Sequence, residues 1–182
     1  MSTTPILPPS AQDIAANFLA SAAQRIEQCQ KSIAHCLDKL SALPNAEDLL
    51  RHRSGDHENS ILNLLLHLDG NIRQWILHGI DDQPDIRERD AEFTLTPTTP
   101  IAEARARFNA TVDEARSIIA AVPAARLLTI IDPQPTGLAR HPTILEAIFK
   151  IVGHLDHHTG QIILLTKQLT AADVNLSLPR KR

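Results

Sequence analysis

Apolar residues recur three and four positions apart along four stretches of the chain, the spacing that gathers side chains on one face of an α-helix. Ala15, Leu19, Ala22, Ile26, Cys29, Ile33, Cys36 and Leu40 form the first stripe. Ser10 and Asp13 precede it with the three-residue offset of a helix cap. The second stripe, Ile61, Leu65, Leu68, Ile72 and Trp75, is more apolar all round, begins near Asn59 or Ser60 and stops by Gly79. The third is Ile101, Ala104, Phe108, Thr111, Ala115, Ile118 and Val122, with Pro100 at its first helical position behind Thr99 and Pro123 ending it. The fourth runs through Ile144, Ile148, Ile151, Leu155, His158, Ile162, Leu165 and Leu169, and Thr143 with Glu146 supplies a capping box.

These stripes predict helices over 11–41, 60–79, 100–122 and 143–170. A mean spacing near 3.5 residues on four helices is the packing pattern of a bundle, so the expected fold is an all-α four-helix bundle. No strand-type alternation competes, apart from a short extended piece at Leu127 to Ile131. The connections 42–58, 80–98 and 124–141 exceed the ~2 to 8 residues usual between bundle helices, and so predict long crossovers or a site built at one end. The middle one, Ile80 to Asp90, carries charges of both signs and reads as a solvated crossover. Residues 1–9 and 171–182 are expected to be flexible tails around a four-helix domain at 10–170.

Composition narrows the function classes. The 182 residues carry 18 Lys+Arg against 21 Asp+Glu, a formal net charge of -3, with 43% hydrophobic residues. That describes a single domain with a real core. No apolar run approaches the ~20 residues of a membrane span, and no basic segment leads into an apolar stretch at the N-terminus. Near-neutral charge offers little attraction to a phosphate backbone, although Pro179 to Arg182 form a small basic tail, so neither nucleic acid nor membrane is an expected partner. Cys29 and Cys36 lie on one predicted helix with Cα atoms roughly 10 Å apart at ~1.5 Å rise per residue. A disulfide needs less than about 7 Å, so both read as reduced, buried thiols of a cytoplasmic protein.

Nine histidines against no tyrosine is the unusual part of the composition. His154 and His158 are four apart on the fourth helix, on one face, where two imidazoles can converge on one ion. His158 also takes a stripe position otherwise held by Ile and Leu, and a bundle interior is a costly place for an imidazole without a partner. Gly153 and Gly160 flank the pair and hint at a close backbone approach, with a solvent-facing position as the alternative. His157 is turned by about 100° and reads as surface or as a neighbour of the ligands. His67, which interrupts Leu64-Leu65-Leu66-His67-Leu68, is the best third ligand. Asn63, His67, Asn71, Gln74 and His78 form a polar stripe on that helix. The stripe fits a water-facing surface as well as the wall of a polar pocket beside a metal, and spacing leaves both open.

Other chemistries are excluded by pattern. No Glu stands three residues before a His as a di-iron bundle requires, and Leu155 rather than Glu follows His154, which excludes a zincin. There is no nucleophile elbow, phosphate loop, dinucleotide fingerprint or Cys-x-x-Cys. His35, between Lys31 and Lys39, reads as a surface residue, and His52, His57 and His141 as solvated.

The segment Asn59 to Trp75, the Asp85 to Phe93 loop, and His154 to Gln161 followed by Ile162-Ile163-Leu164-Leu165 together resemble the DinB/YfiT-like family of four-helix proteins, in particular a branch of unknown function. The resemblance implies a divalent metal, nickel or zinc, held by His67, His154 and His158, and a homodimer. It also implies thiol transfer or isomerisation with a low-molecular-weight thiol such as bacillithiol or mycothiol, with Asn71, Gln74 and Gln161 as candidate pocket residues and no catalytic residue assigned. Apolar residues outside the stripes, Ile14, Phe18, Leu37, Val112 and Ile119, add a reason to expect a dimer. Two function classes follow: a metal-dependent S-transferase-type enzyme, or a non-catalytic dimeric protein whose histidine or metal site is structural. A fourth protein ligand would favour the second, and Asp156, two residues from both histidines, points away.

Overall fold

The computed structural model describes residues 10–131 and 141–176, so the expected tail at 1–9 and the last six residues lie outside the described residues. Its long helices are α1 (Ala11–Ser41), α3 (Ile61–Ile72), α5 (Ile101–Ala121) and α6 (Ile144–Thr170), with short helices α2 (Ala46–Arg51) and α4 (Gly79–Asp81) between them. A π-helical stretch, Arg73–His78, joins α3 to α4 so that the second predicted helix runs on as one rod. The sequence-derived boundaries hold to within two residues, but Pro100 caps α5 instead of occupying its first turn. Helix α6 passes unbroken through Gly153 and Gly160.

Local sequence explains where these helices begin. Ser10 with Asp13, Ser60 with Asn63 and Thr143 with Glu146 each close a reciprocal capping box, satisfying amides that a helix start would otherwise leave bare. Helix α1 lies against α6 and α5, and α3 lies against α5 and α6. The four apolar stripes meet in one core that includes Ile26, Ile33, Leu65, Phe108, Ile148 and Ile162. Asp69 is the charged residue inside this packing. It accepts from Thr111 Oγ1 at 2.6 Å and from Arg107 at 2.9 Å, which ties α3 to α5. The extended piece after α5 contributes a single antiparallel bridge, Ile130 to Thr143.

Several expectations are corrected here. Leu37, Val112 and Ile119 are buried in the chain's own core, and of the five residues read as a second apolar face only Ile14 is largely exposed. The apolar positions that suggested a partner surface are therefore mostly consumed by the long α1 and α5 contacts. His35 is half-buried, with Nε2 2.6 Å from the carbonyl of Val174. Val174, inside the segment expected to be a loose tail, is itself buried. The 80–98 connection is mostly exposed, as a solvated crossover is expected to be, but Arg87 and Glu92 depart from that reading: their side chains turn in against α3, Glu92 from a 3-10 turn at Arg89–Phe93. Cys29 and Cys36 are free and buried, as the spacing predicts. No helix among the described residues is long and apolar enough to cross a membrane.

Candidate metal centre

Helix α3 delivers His67 into the bundle and α6 delivers His154 and His158 from the facing side. Each offers a ring nitrogen, and the three ligand atoms lie within 4.8 Å of one another. His67 Nε2 is 2.8 Å from His154 Nε2. The ring centroids of His67 stand 5.0 Å from those of both partners, and His154 and His158 are 4.4 Å apart, with all three rings crossed edge to face. Imidazole ligands bind an ion such as zinc at about 2.0–2.1 Å, so small side-chain adjustments suffice for one ion to reach all three. Among the described residues, the cluster has no fourth His, Cys, Asp or Glu member.

The electrostatics favour neutral, ligand-ready rings. Burial, reinforced by the neighbouring His158, His67 and Lys150, pushes the His154 imidazole down to about 3. Burial likewise lowers His158, partly offset by its bond to Gln161. A neutral imidazole has a lone pair to give, and an imidazolium has none.

Hydrogen bonds on the far nitrogens fix which lone pair that is. His67 Nδ1 lies 2.9 Å from Glu92 Oε2. A carboxylate only accepts, so Nδ1 carries the proton and Nε2 is left to bind. His158 Nδ1 lies 2.6 Å from Gln161 Oε1 with the same consequence. Carboxylate–histidine pairing of this kind holds a ligand ring in orientation and raises its basicity.

Glu92 is in turn held by Arg87, whose Nε and Nη2 donate to its two oxygens at 2.7 and 2.8 Å. Burial pushes the Glu92 carboxyl up, but the bonds from Arg87 and His67 outweigh it, and the group stays below its ordinary value. Arg87 Nη1 also donates to Gln74 at 2.8 Å, and Gln74 donates to Asp85 at 3.2 Å. The loop thereby wraps His67, and Phe93 stands 4.9 Å from its ring. Gly70 makes this approach available: a Cβ there would fall 2.1 Å from Glu92 Oε1.

Of the stripe Asn63, His67, Asn71, Gln74 and His78, the first four are buried and His78 is half-buried, so the stripe does not face water. Asn63 donates to the carbonyls of Glu92 and Thr94 and so anchors the loop over the site. The three candidate pocket residues have separate environments. Gln161 holds His158, Gln74 belongs to the Arg87 network, and Asn71 is buried with its Oδ1 unpartnered. His157 is exposed beside His158. Asp156 faces α1, where Arg25 donates to both of its oxygens. Gly153 and Gly160 face open space, so the close approach inferred for them is not there. Glu92 and Arg87 are what sequence reasoning missed. Gly70, a helix-interior glycine three residues after His67, was the signal that something lies against α3 at that point.

The same elements from α1 through the end of the chain are what the family comparison matches. The chain belongs to the family described as protein of unknown function DUF1572, whose match spans residues 13–182. No curated protein and no solved structure matches the chain. Its DUF1572 membership therefore spans the segment that holds the three histidines and assigns no activity to it.

Proposed function

We propose that this protein is a DinB/YfiT-like divalent-metal protein acting as a metal-dependent thiol S-transferase, with nickel or zinc held by His67, His154 and His158. One observation carries the reading: three imidazoles converge, with no fourth acidic or sulfur ligand in the cluster among the described residues. Three neutral ligands leave an ion's charge uncancelled and coordination positions open. Such an ion supplies Lewis acidity that lowers the pKa of a bound water or thiol.

The chain's own residues would do the rest. Glu92 and Gln161 keep the His67 and His158 rings turned toward the ion. A cavity of about 280 Å³ lined by Gln161, the residue bonded to His158, and walled by Leu64, Leu164 and Leu165 with Glu58 and Asn59 at its polar side, offers a place for a substrate. Its mixture of apolar wall and few polar groups is typical of small-molecule sites. The proposal extends to a cytoplasmic homodimer whose partner is a small thiol, with no role for nucleic acid or membrane.

The test is metal analysis of the purified protein followed by a thiol-transfer screen with the metal-loaded form. One equivalent of nickel or zinc and thiol-dependent turnover are expected. Metal without turnover would leave a structural centre, and no metal would remove the reading altogether.

A further inference from the structure

Asn71 holds the least explained polar atom near the centre. The residue is only 6% exposed, and its Oδ1 is sealed from solvent with no hydrogen-bond partner. A buried carbonyl-type oxygen without a donor is a standing cost, and such an orphan in a native fold calls for something that donates to it.

Two contacts between α3 and α6 fix where it sits. His67 meets His154 at 2.8 Å, and Trp75, two turns further along the same rod in the π-helical stretch, carries Lys150 of α6 4.9 Å over its ring. Asn71 is four residues after His67 and four before Trp75, so it lies on the α6-facing side between these two contacts. Residues four apart on a helix have Cβ atoms about 5–6 Å apart, which puts the amide within reach of a molecule bound beside His67 and His154.

The buried polar groups around the histidines are already committed. Glu92 and Arg87 serve the Nδ1 side of His67, Gln161 serves His158, and Gln74 bonds Arg87 and Asp85. Among the described residues, Asn71 Oδ1 is the one buried side-chain acceptor without a partner.

We infer that Asn71 is a positioning residue whose Oδ1 accepts a hydrogen bond from the proton-bearing molecule at the open coordination position, so that the centre selects a donor such as water or a thiol that still carries its proton over an aprotic anion. The inference rests on the metal reading above and adds a ligand preference to it. An aprotic ligand that displaces the bound water leaves the buried oxygen orphaned and meets its lone pairs, which disfavours that ligand.

The experiment uses the full chain loaded with Co2+ as a spectroscopic probe and azide as the aprotic ligand, followed by visible absorption. Asn71→Leu keeps the volume and removes the acceptor; Asn71→Asp keeps an acceptor at the same reach. Both variants are expected to bind one equivalent of Co2+ like the parent. Azide should bind Asn71→Leu about fivefold more tightly than the parent, the worth of one ordinary hydrogen bond. Asn71→Asp should bind azide more weakly than the parent, because a carboxylate there both accepts and repels.

Equal azide affinity in parent and Asn71→Leu, with Co2+ bound in both, overturns the role of Asn71 while leaving the metal centre standing. Failure of the parent to bind Co2+ overturns the metal reading and this inference with it. If Asn71→Leu does not fold, the Asp variant decides: unchanged azide affinity overturns the proposal.

Discussion

Glu92 shows how much a single loop residue can add to a site whose ligands come from helices. It is 6% exposed, accepts three charged or polar donors, and sets which nitrogen of His67 is free. Replacing it by Gln keeps the shape but leaves Arg87 with a neutral partner and removes the carboxylate from His67. Zn2+ affinity measured by competition with a chromophoric chelator should fall 10- to 100-fold, the usual cost of losing such a partner. Gly70→Ala should produce the same weakening with every ligand intact, since its methyl would displace the Glu92 carboxylate.

The two thiols behave differently. Burial pushes both Cys29 and Cys36 above their ordinary value, so in the folded chain they keep their protons. A group whose folded pKa is raised contributes stability that is present below its unfolded pKa, here 9.0, and is lost as pH rises through the folded value. Urea midpoints of the parent should therefore drop as pH rises above 9.0 more steeply than those of a Cys29→Ala, Cys36→Ala double variant compared at the same pH.

At the level of elements, the helices were readable because each had a period and a start. A stripe such as Ile144 to Leu169 and a box such as Thr143 with Glu146 are local signals, and both appear where they were expected. The 80–98 connection is mostly exposed, as its charges predict, and what stayed illegible was the inward turn of Arg87 and Glu92, whose burial is not local. Arg87 and Glu92 have the composition of a solvated segment, and only the presence of each other, of Gly70 and of His67 makes a dry environment acceptable to them. The π-helical turn at Arg73–His78 left no mark in the apolar spacing either. Asn63 joins the two kinds of element, because it completes the cap of α3 and donates to the loop carbonyls of Glu92 and Thr94. Asn63→Ala should thus cost about 2 kcal/mol in denaturant unfolding, a cap of ~1 plus a buried carbonyl left unsatisfied. Metal affinity should fall as well, which a cap acting only on α3 would not require.

For the molecule as a whole, the centre joins α3 to α6 across a long stretch of sequence, from His67 to His154 and His158. An ion bound there holds two elements that unfolding would separate, and the unfolded chain offers no such preformed triad. Binding to the folded state alone raises stability by RT ln(1 + [L]/Kd), about 2.7 kcal/mol at a hundredfold excess over Kd. A chain of this length shifts its Tm by roughly 2–4 °C per kcal/mol. Saturating Zn2+ or Ni2+ should therefore raise the melting temperature by about 5–10 °C, and a chelator should reverse the rise. His154→Ala and His158→Ala should melt near the metal-free parent and show almost no shift on adding the ion. His157→Ala should keep nearly the whole shift, since its ring is exposed and outside the cluster. A shift that survives loss of His154 or His158 would mean that the ion acts elsewhere on the surface. The bundle would then owe nothing to the three-histidine centre.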